Sequence, residues 1–131
     1  MAVIATAAQA GRPSPEVLEL QATLLKMSDD PEGALEPQRR ITRLYPERRS
    51  GWHNLAATLG DLGLAVEAEA AARRSLTIPP NAPETFLVLA RSLQSQGRYD
   101  EAEATLARAL ALRPAYGPAH HDLARIASAS S

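Results

Sequence analysis

Apolar positions in the second half of the chain recur at helical spacing, broken at regular intervals by glycine and proline. Phe86, Leu87, Leu89, Ala90 and Leu93 fall at i, i+1, i+3, i+4 and i+7, which predicts an amphipathic helix. Gly97 follows, a residue that closes a helix in the left-handed conformation at no steric cost. Ala102, Leu106, Ala109 and Leu110 continue the period in a second helix, and Pro114 stops it. One copy earlier stand Trp52, Leu55, Ala56 and Leu59, then Gly63, then Ala68, Ala72 and Leu76, then Pro79 and Pro80. A shift of 34 residues aligns Arg49–Ala82 with Pro83–Tyr116 without a gap, and 11 places are identical. Alanine richness would produce some matches by chance, but it would not align Gly63 with Gly97 and Pro80 with Pro114. The unit is a helix–turn–helix pair, and small residues at Ala56/Ala90 and Ala68/Ala102 allow its two helices to approach closely.

The same frame reaches beyond both copies. Residues 15–48 form a degenerate repeat: Leu18, Ala22, Leu25, Ala34 and Pro46 stand where expected, while Gln21 replaces a leucine and Asp29 the glycine. Pro37 falls within the second helix of that copy, where a proline costs roughly 3 kcal/mol unless it lies in the first turn. The helix is therefore expected to begin near Pro37. Downstream, His120, Leu123 and Ala124 start another copy that stops after one helix, so 117–131 reads as a capping helix and tail. Residues 1–14 form an N-terminal extension or half-repeat, with Met1–Ala10 as a vestigial helix closed by Gly11 and Pro13. The chain is one domain with helices expected at 15–28, 37–45, 50–61, 65–77, 83–95, 99–112 and 117–127.

Trp52-x2-Leu55-Ala56-x2-Leu59 with Ala68-x3-Ala72 and Pro80, and Phe86-x2-Leu89-Ala90-x2-Leu93 with Ala102-x3-Leu106 and Pro114, together resemble the tetratricopeptide repeat family. Departures are Ala for the first Gly, Leu for Tyr, and Ala72 for a large aromatic. The resemblance implies an all-α fold, a right-handed superhelical α-solenoid of antiparallel helix pairs. It also implies a concave face lined by the first helix of each repeat, where proteins of this kind grip a peptide. Transferred to this chain, the inward places are Glu19, Thr23 and Lys26, then His53, Asn54 and Ala57, then Leu87, Val88, Arg91 and Gln94, then His121, Asp122 and Arg125. Of these, His53, Asn54, Leu87, Arg91, Gln94, His121 and Arg125 are the candidate peptide-binding residues. Arg91 and Arg125 hold one place in successive repeats, which suits a partner segment with an acidic side chain. The family's clamp for a C-terminal carboxylate uses Lys, Asn and Arg. Only Asn54 fits it here, and Glu19 would repel the carboxylate.

Composition narrows the function further. Fourteen basic residues against 15 acidic ones give a net charge of −1, so no nucleic-acid or acidic-lipid partner is expected. The absence of cysteine excludes thiolate metal sites and cysteine nucleophiles. No phosphate-cradling glycine loop, nucleophile elbow or H-E-x-x-H motif occurs. His120 and His121 lie about 100° apart on a helix and cannot easily share one metal. No catalytic residue, cofactor or metal is expected. No window reaches the ~18 apolar residues a membrane span needs, and Met1–Ala10 lacks the basic start of a signal peptide, so a cytoplasmic location is expected. Arg40, Arg74 and Arg108, flanked by Arg39 and Arg73, repeat as an outer stripe. It reads first as a solvated face held by pairs such as Glu36–Arg40 and Glu69–Arg73, and second as an alternative docking strip. The chain thus reads as a non-enzymatic protein-interaction scaffold. Alternatives are the N-terminal arm of a larger bacterial enzyme, such as a sulfotransferase or oxygenase, and a module that forms homodimers through the solenoid ends.

Overall fold

A computed structural model describes residues 13–130. Among them are seven helices: α1 (Pro15–Met27), α2 (Pro31–Leu44), α3 (Arg49–Asp61), α4 (Ala65–Leu76), α5 (Pro83–Ser95), α6 (Tyr99–Leu112) and α7 (Gly117–Ser130). The helix expected over Met1–Ala10 lies outside the described residues. Helices pair as α1/α2, α3/α4 and α5/α6, and each pair packs on the next through its neighbouring helices. The first helices form their own layer: α3 touches α5 and α5 touches α7, whereas α1 and α3 stand apart.

Alanine sets the spacing within each pair. Ala22 and Ala34, Ala56 and Ala68, and Ala90 and Ala102 recur at the 34-residue interval, and all six are buried. A methyl group on each helix lets two backbones come close and excludes water. Larger residues (Leu59, Phe86, Leu93 and Leu106, all buried) fill the layers between.

Each pair is closed by the same turn. Asp29, Gly63 and Gly97 take φ of 63°, 79° and 76°. The next residue's N–H then reaches back across the turn: Asp30 to the Leu25 carbonyl (2.8 Å), Leu64 to Leu59 (2.9 Å) and Arg98 to Leu93 (2.9 Å). This 6→1 bond satisfies a carbonyl that the helix end leaves unpaired. Asp29 does it with a side chain that the left-handed region penalises.

One expectation is corrected. The second helix begins at Pro31, not near Pro37, which sits inside it. Asp30 Oδ1 accepts from Gly33 N–H (2.9 Å) and Pro31 occupies the first turn, so the start is fixed upstream. Starting there buries Ala34 as well as Ile41, which outweighs the one hydrogen bond that Pro37 cannot donate.

Ring positions obey the period too. Trp52 Nε1 donates to the Pro46 carbonyl (2.9 Å), and His120 Nε2 donates to Pro114 at the equivalent place (2.8 Å). Histidine thus takes over tryptophan's tether on the last described helix. Arg74 lies over the Trp52 ring at 5.4 Å and Arg108 over Phe86 at 4.7 Å, one repeat apart.

Two stability measurements follow. Asp29→Gly removes the left-handed penalty and should raise unfolding free energy in urea by about 1 kcal/mol. Trp52→Ala strips a half-buried ring from its tether and its arginine cover, and should lower it by roughly 2–4 kcal/mol.

Candidate functional site

Three clefts run along the face formed by α1, α3, α5 and α7. The first, about 180 Å³, lies between α1 and α3 and includes Glu19, Thr23, Lys26, Gln38, Asn54 and Ala57. The second, about 200 Å³, lies between α3 and α5, with Ala57 and Val88 beside Asp61, Arg91 and Ser95. The third, about 340 Å³, includes Gln94, Ser95, Tyr99 and Arg125. Ala57 is shared by the first two and Ser95 by the last two, so the clefts adjoin and follow one another along this face. The gap at the first cleft exists because α1 and α3 do not pack on each other, which leaves α2 as the floor.

Charge alternates along the groove. Glu19 Oε1 lies 3.5 Å from Arg48, and Lys26 Nζ lies 3.8 Å from Asp61. Further on, Arg91 Nε and Nη2 donate to Asp122 Oδ2 (2.8 Å) and Oδ1 (3.3 Å). Arg125 Nη1 comes within 3.9 Å of the same carboxylate. Asp122 is 0% exposed, whereas Arg91 and Arg125 are 51% and 63% exposed. The bond to Asp122 raises the Arg91 pKa, with desolvation opposing it. Two guanidinium groups around one carboxylate leave this end of the groove with a surplus positive charge.

Of the seven candidate residues, Asn54, Arg91, Gln94 and Arg125 line the groove. Leu87 does not: it is buried in the core. His53 turns into the seam between α3 and α5, where Nδ1 shares a hydrogen bond with the buried Thr85 Oγ1 (3.0 Å). Lost solvent, then Arg49 and Lys26, push its pKa below the ordinary 6.5, against an opposing pull from Glu84. His121 is exposed on α7 and lines none of the three clefts. Gln38, Asp61 and Tyr99 belong to the groove and were missed. Gln38 carried a signal, an amide in register with the buried stripe of Ala34 and Ile41.

The outer arginine stripe has structural partners. Besides the stacked Arg74 and Arg108, Arg39 pairs with Glu67 (3.0 Å) and Arg73 with Glu69 (2.9 Å). Arg40 forms no ion pair with Glu36. Glu69 also accepts from Gln96 (2.9 Å) and Arg98 (2.7 Å). Its burial would push the carboxyl pKa up, but the bonds from Gln96, Arg73 and Arg98 outweigh it and hold the group below 4.5.

Helix pairs repeated at 34 residues, with small-residue seams and an open face along the first helices, define a right-handed α-solenoid. The tetratricopeptide repeat family pattern matches residues 61–126, half of the chain, and the chain belongs to that family. No curated protein sequence matches it at a comparable level. Among solved structures it is similar to the Arabidopsis OM64 TPR domain (20% identity, 86% of this chain and 93% of that one, TM-score 0.81). It is also similar to the first TPR of Spaghetti (RPAP3) bound to the HSP90 peptide SRMEEVD (16% identity, 88% and 91% covered, TM-score 0.83). A third similar structure is the Thermobaculum terrenum O-GlcNAc transferase (24% identity, TM-score 0.78), where the match covers 86% of this chain and 22% of that one. Among the described residues no helix is long and apolar enough to cross a membrane.

The Arg91–Asp122 pair makes Arg91 a structural residue as well as a groove residue. Arg91→Ala leaves a fully buried carboxylate with only the 3.9 Å contact to Arg125 and should cost about 2–3 kcal/mol, discounted from the range for buried pairs because Arg91 is half-exposed. Arg91→Met combined with Asp122→Leu should recover most of that loss in the same urea titration. A pH titration of stability tests His53. Its pKa is lower folded than unfolded, so its contribution is complete above pH 6.5 and is lost as pH falls through the folded pKa. His53→Gln should flatten the stability profile in that window and leave the acid loss below pH 4.5, where Glu69 titrates, unchanged.

Proposed function

We propose that the chain is a non-enzymatic interaction scaffold that holds an extended segment of a protein partner in the concave groove. The observation that carries this reading is the succession of the three clefts along one face, with small apolar side chains at the centre and hydrogen-bonding groups on both sides. Asn54 offers a donor and an acceptor to a peptide backbone. Ala57 and Val88 give an aliphatic side chain a place to rest, and the Arg91–Arg125 end favours an acidic one. The peptide bound to the Spaghetti domain is acidic and the chain shares that domain's fold, which supports the reading at the level of architecture. The determinants differ, because Glu19 and Thr23 stand where a carboxylate clamp needs lysine and asparagine. The groove therefore reads an internal acidic segment rather than a free C-terminus. As an arm of a larger enzyme, the reading suggested by the transferase likeness, the same groove would recruit the substrate protein.

A second, compatible reading is self-association. Val17, Leu20, Leu24 and Met27 are exposed along one face of α1, at the N-terminal end of the described solenoid, and a second copy would cover them.

Peptide-display selection against the folded chain tests the groove. Selected sequences should pair an acidic with an aliphatic residue. Arg125→Glu should weaken the best of them by at least about tenfold, roughly 1.4 kcal/mol, with only a modest fall in melting temperature, because Asp122 loses the 3.9 Å contact to Arg125 but keeps both hydrogen bonds from Arg91. Equal affinity for Arg125→Glu, with loss instead in Arg74→Glu or Arg108→Glu, would move the site to the outer face.

A further inference from the structure

The first cleft has chemistry opposite to that of the arginine end. Gln38 is only 5% exposed, and its Oε1 is buried with no hydrogen-bond partner. Glu19 lines the same cleft, and its Oε1 is likewise buried without one. The nearest cation to Glu19, Arg48 Nη2 at 3.5 Å, attracts the carboxylate but does not align as a donor. Arg48 is shared with Glu16 at 3.8 Å. Lys26, about two turns along α1 from Glu19, is drawn toward Asp61 on α3. Counting Glu16 and Glu19 against Lys26 and Arg48, the surroundings are balanced in charge, and Asp61 of the second cleft draws Lys26 away from Glu19. A buried acceptor left unmade is costly; Arg48 Nε beside Glu19 is a buried donor that is also unpartnered, but its single N–H can answer only one of the two acceptors, so the cleft still calls for a donor with several N–H groups. The cleft volume of about 180 Å³ is several times the roughly 30 Å³ share of one water, enough for a planar cation.

We propose that the cleft between α1, α2 and α3 receives an arginine side chain of the bound segment, its guanidinium donating to Glu19 Oε1 and Gln38 Oε1. This deepens the groove reading and rests on it. The groove then has a direction: a basic residue of the partner lies at the α1 end and an acidic one toward α7. Alternate charges along the segment would fix its polarity and register. Glu19, which argues against a carboxylate clamp, becomes the residue that selects the basic side chain.

Side-chain amide signals of Gln38 and Asn54 in nitrogen–proton NMR spectra report on this cleft directly. The probes are acetyl-Gly-Arg-Gly-amide, its citrulline counterpart, which keeps shape and loses charge, and acetyl-Gly-Glu-Leu-amide for the other end. The arginine probe should shift the Gln38 and Asn54 signals saturably, at least about tenfold more tightly than the citrulline probe. Glu19→Gln should remove that preference. Gln38→Met should weaken the arginine probe without lowering the melting temperature, because the amide oxygen it removes has no partner to lose. Equal binding of arginine and citrulline, absence of saturation, or a lowered melting temperature in Gln38→Met would overturn the proposal. If the arginine probe fails while the acidic probe still shifts backbone signals around Arg125, only this proposal falls. If neither probe binds, the groove reading falls with it.

Discussion

Close approach of two helices through paired alanines is the constraint from which the rest of the structure follows. With Ala22, Ala56 and Ala90 on the first helices and Ala34, Ala68 and Ala102 on the second, each pair closes to a narrow seam. A pair so narrow cannot bury its large side chains alone. Leu59, Phe86, Leu93 and Leu106 must find cover in the layers between, so the units stack into a solenoid. Stacking uses the flanks of the helices and leaves one face of the first-helix layer unoccupied. That face is the groove, and its residues are free of the packing rules that govern the seam.

Much of this was legible in the chain. The 34-residue period located six helices to within a few residues, because glycine and proline mark the ends for steric reasons that tertiary packing does not override. Asp29 kept the turn in the absence of glycine, since the 6→1 hydrogen bond and the seam beside it hold the backbone in place. Pro37 was misread for a related reason. Its intrinsic cost is real, but the Asp30 cap and the burial of Ala34 act together on one helix, and the sum decides. Reading the proline alone placed the helix start too late, and with it went Gln38, whose burial depends on the helix running through from Pro31.

The groove was legible by place and less so by partner. The family resemblance implied inner-face places for Asn54, Arg91, Gln94 and Arg125, because that face depends only on position within the repeat. It could not tell that Leu87 is buried in the core, or that His53 turns aside to Thr85. Nor could it reveal that Asp122, at the place held by Asn54 and Val88 in earlier repeats, would be buried beneath Arg91. Those outcomes depend on contacts between residues about thirty positions apart, which a sequence pattern aligns but does not pair. The ion pair has a double consequence. It ties α5 to α7 across a repeat boundary, and it holds the Arg91 guanidinium at two points beside the second cleft.

The central claim is that recognition takes place on the concave face, and site-directed photo-crosslinking tests it most directly. A photoreactive amino acid at Ser95, exposed where the second and third clefts meet, should capture a display-selected peptide. The same group at Ala104, exposed on α6 away from the groove residues, should capture none. Crosslinks at Ala104 with none at Ser95 would contradict the account and place the binding surface on the outer helices.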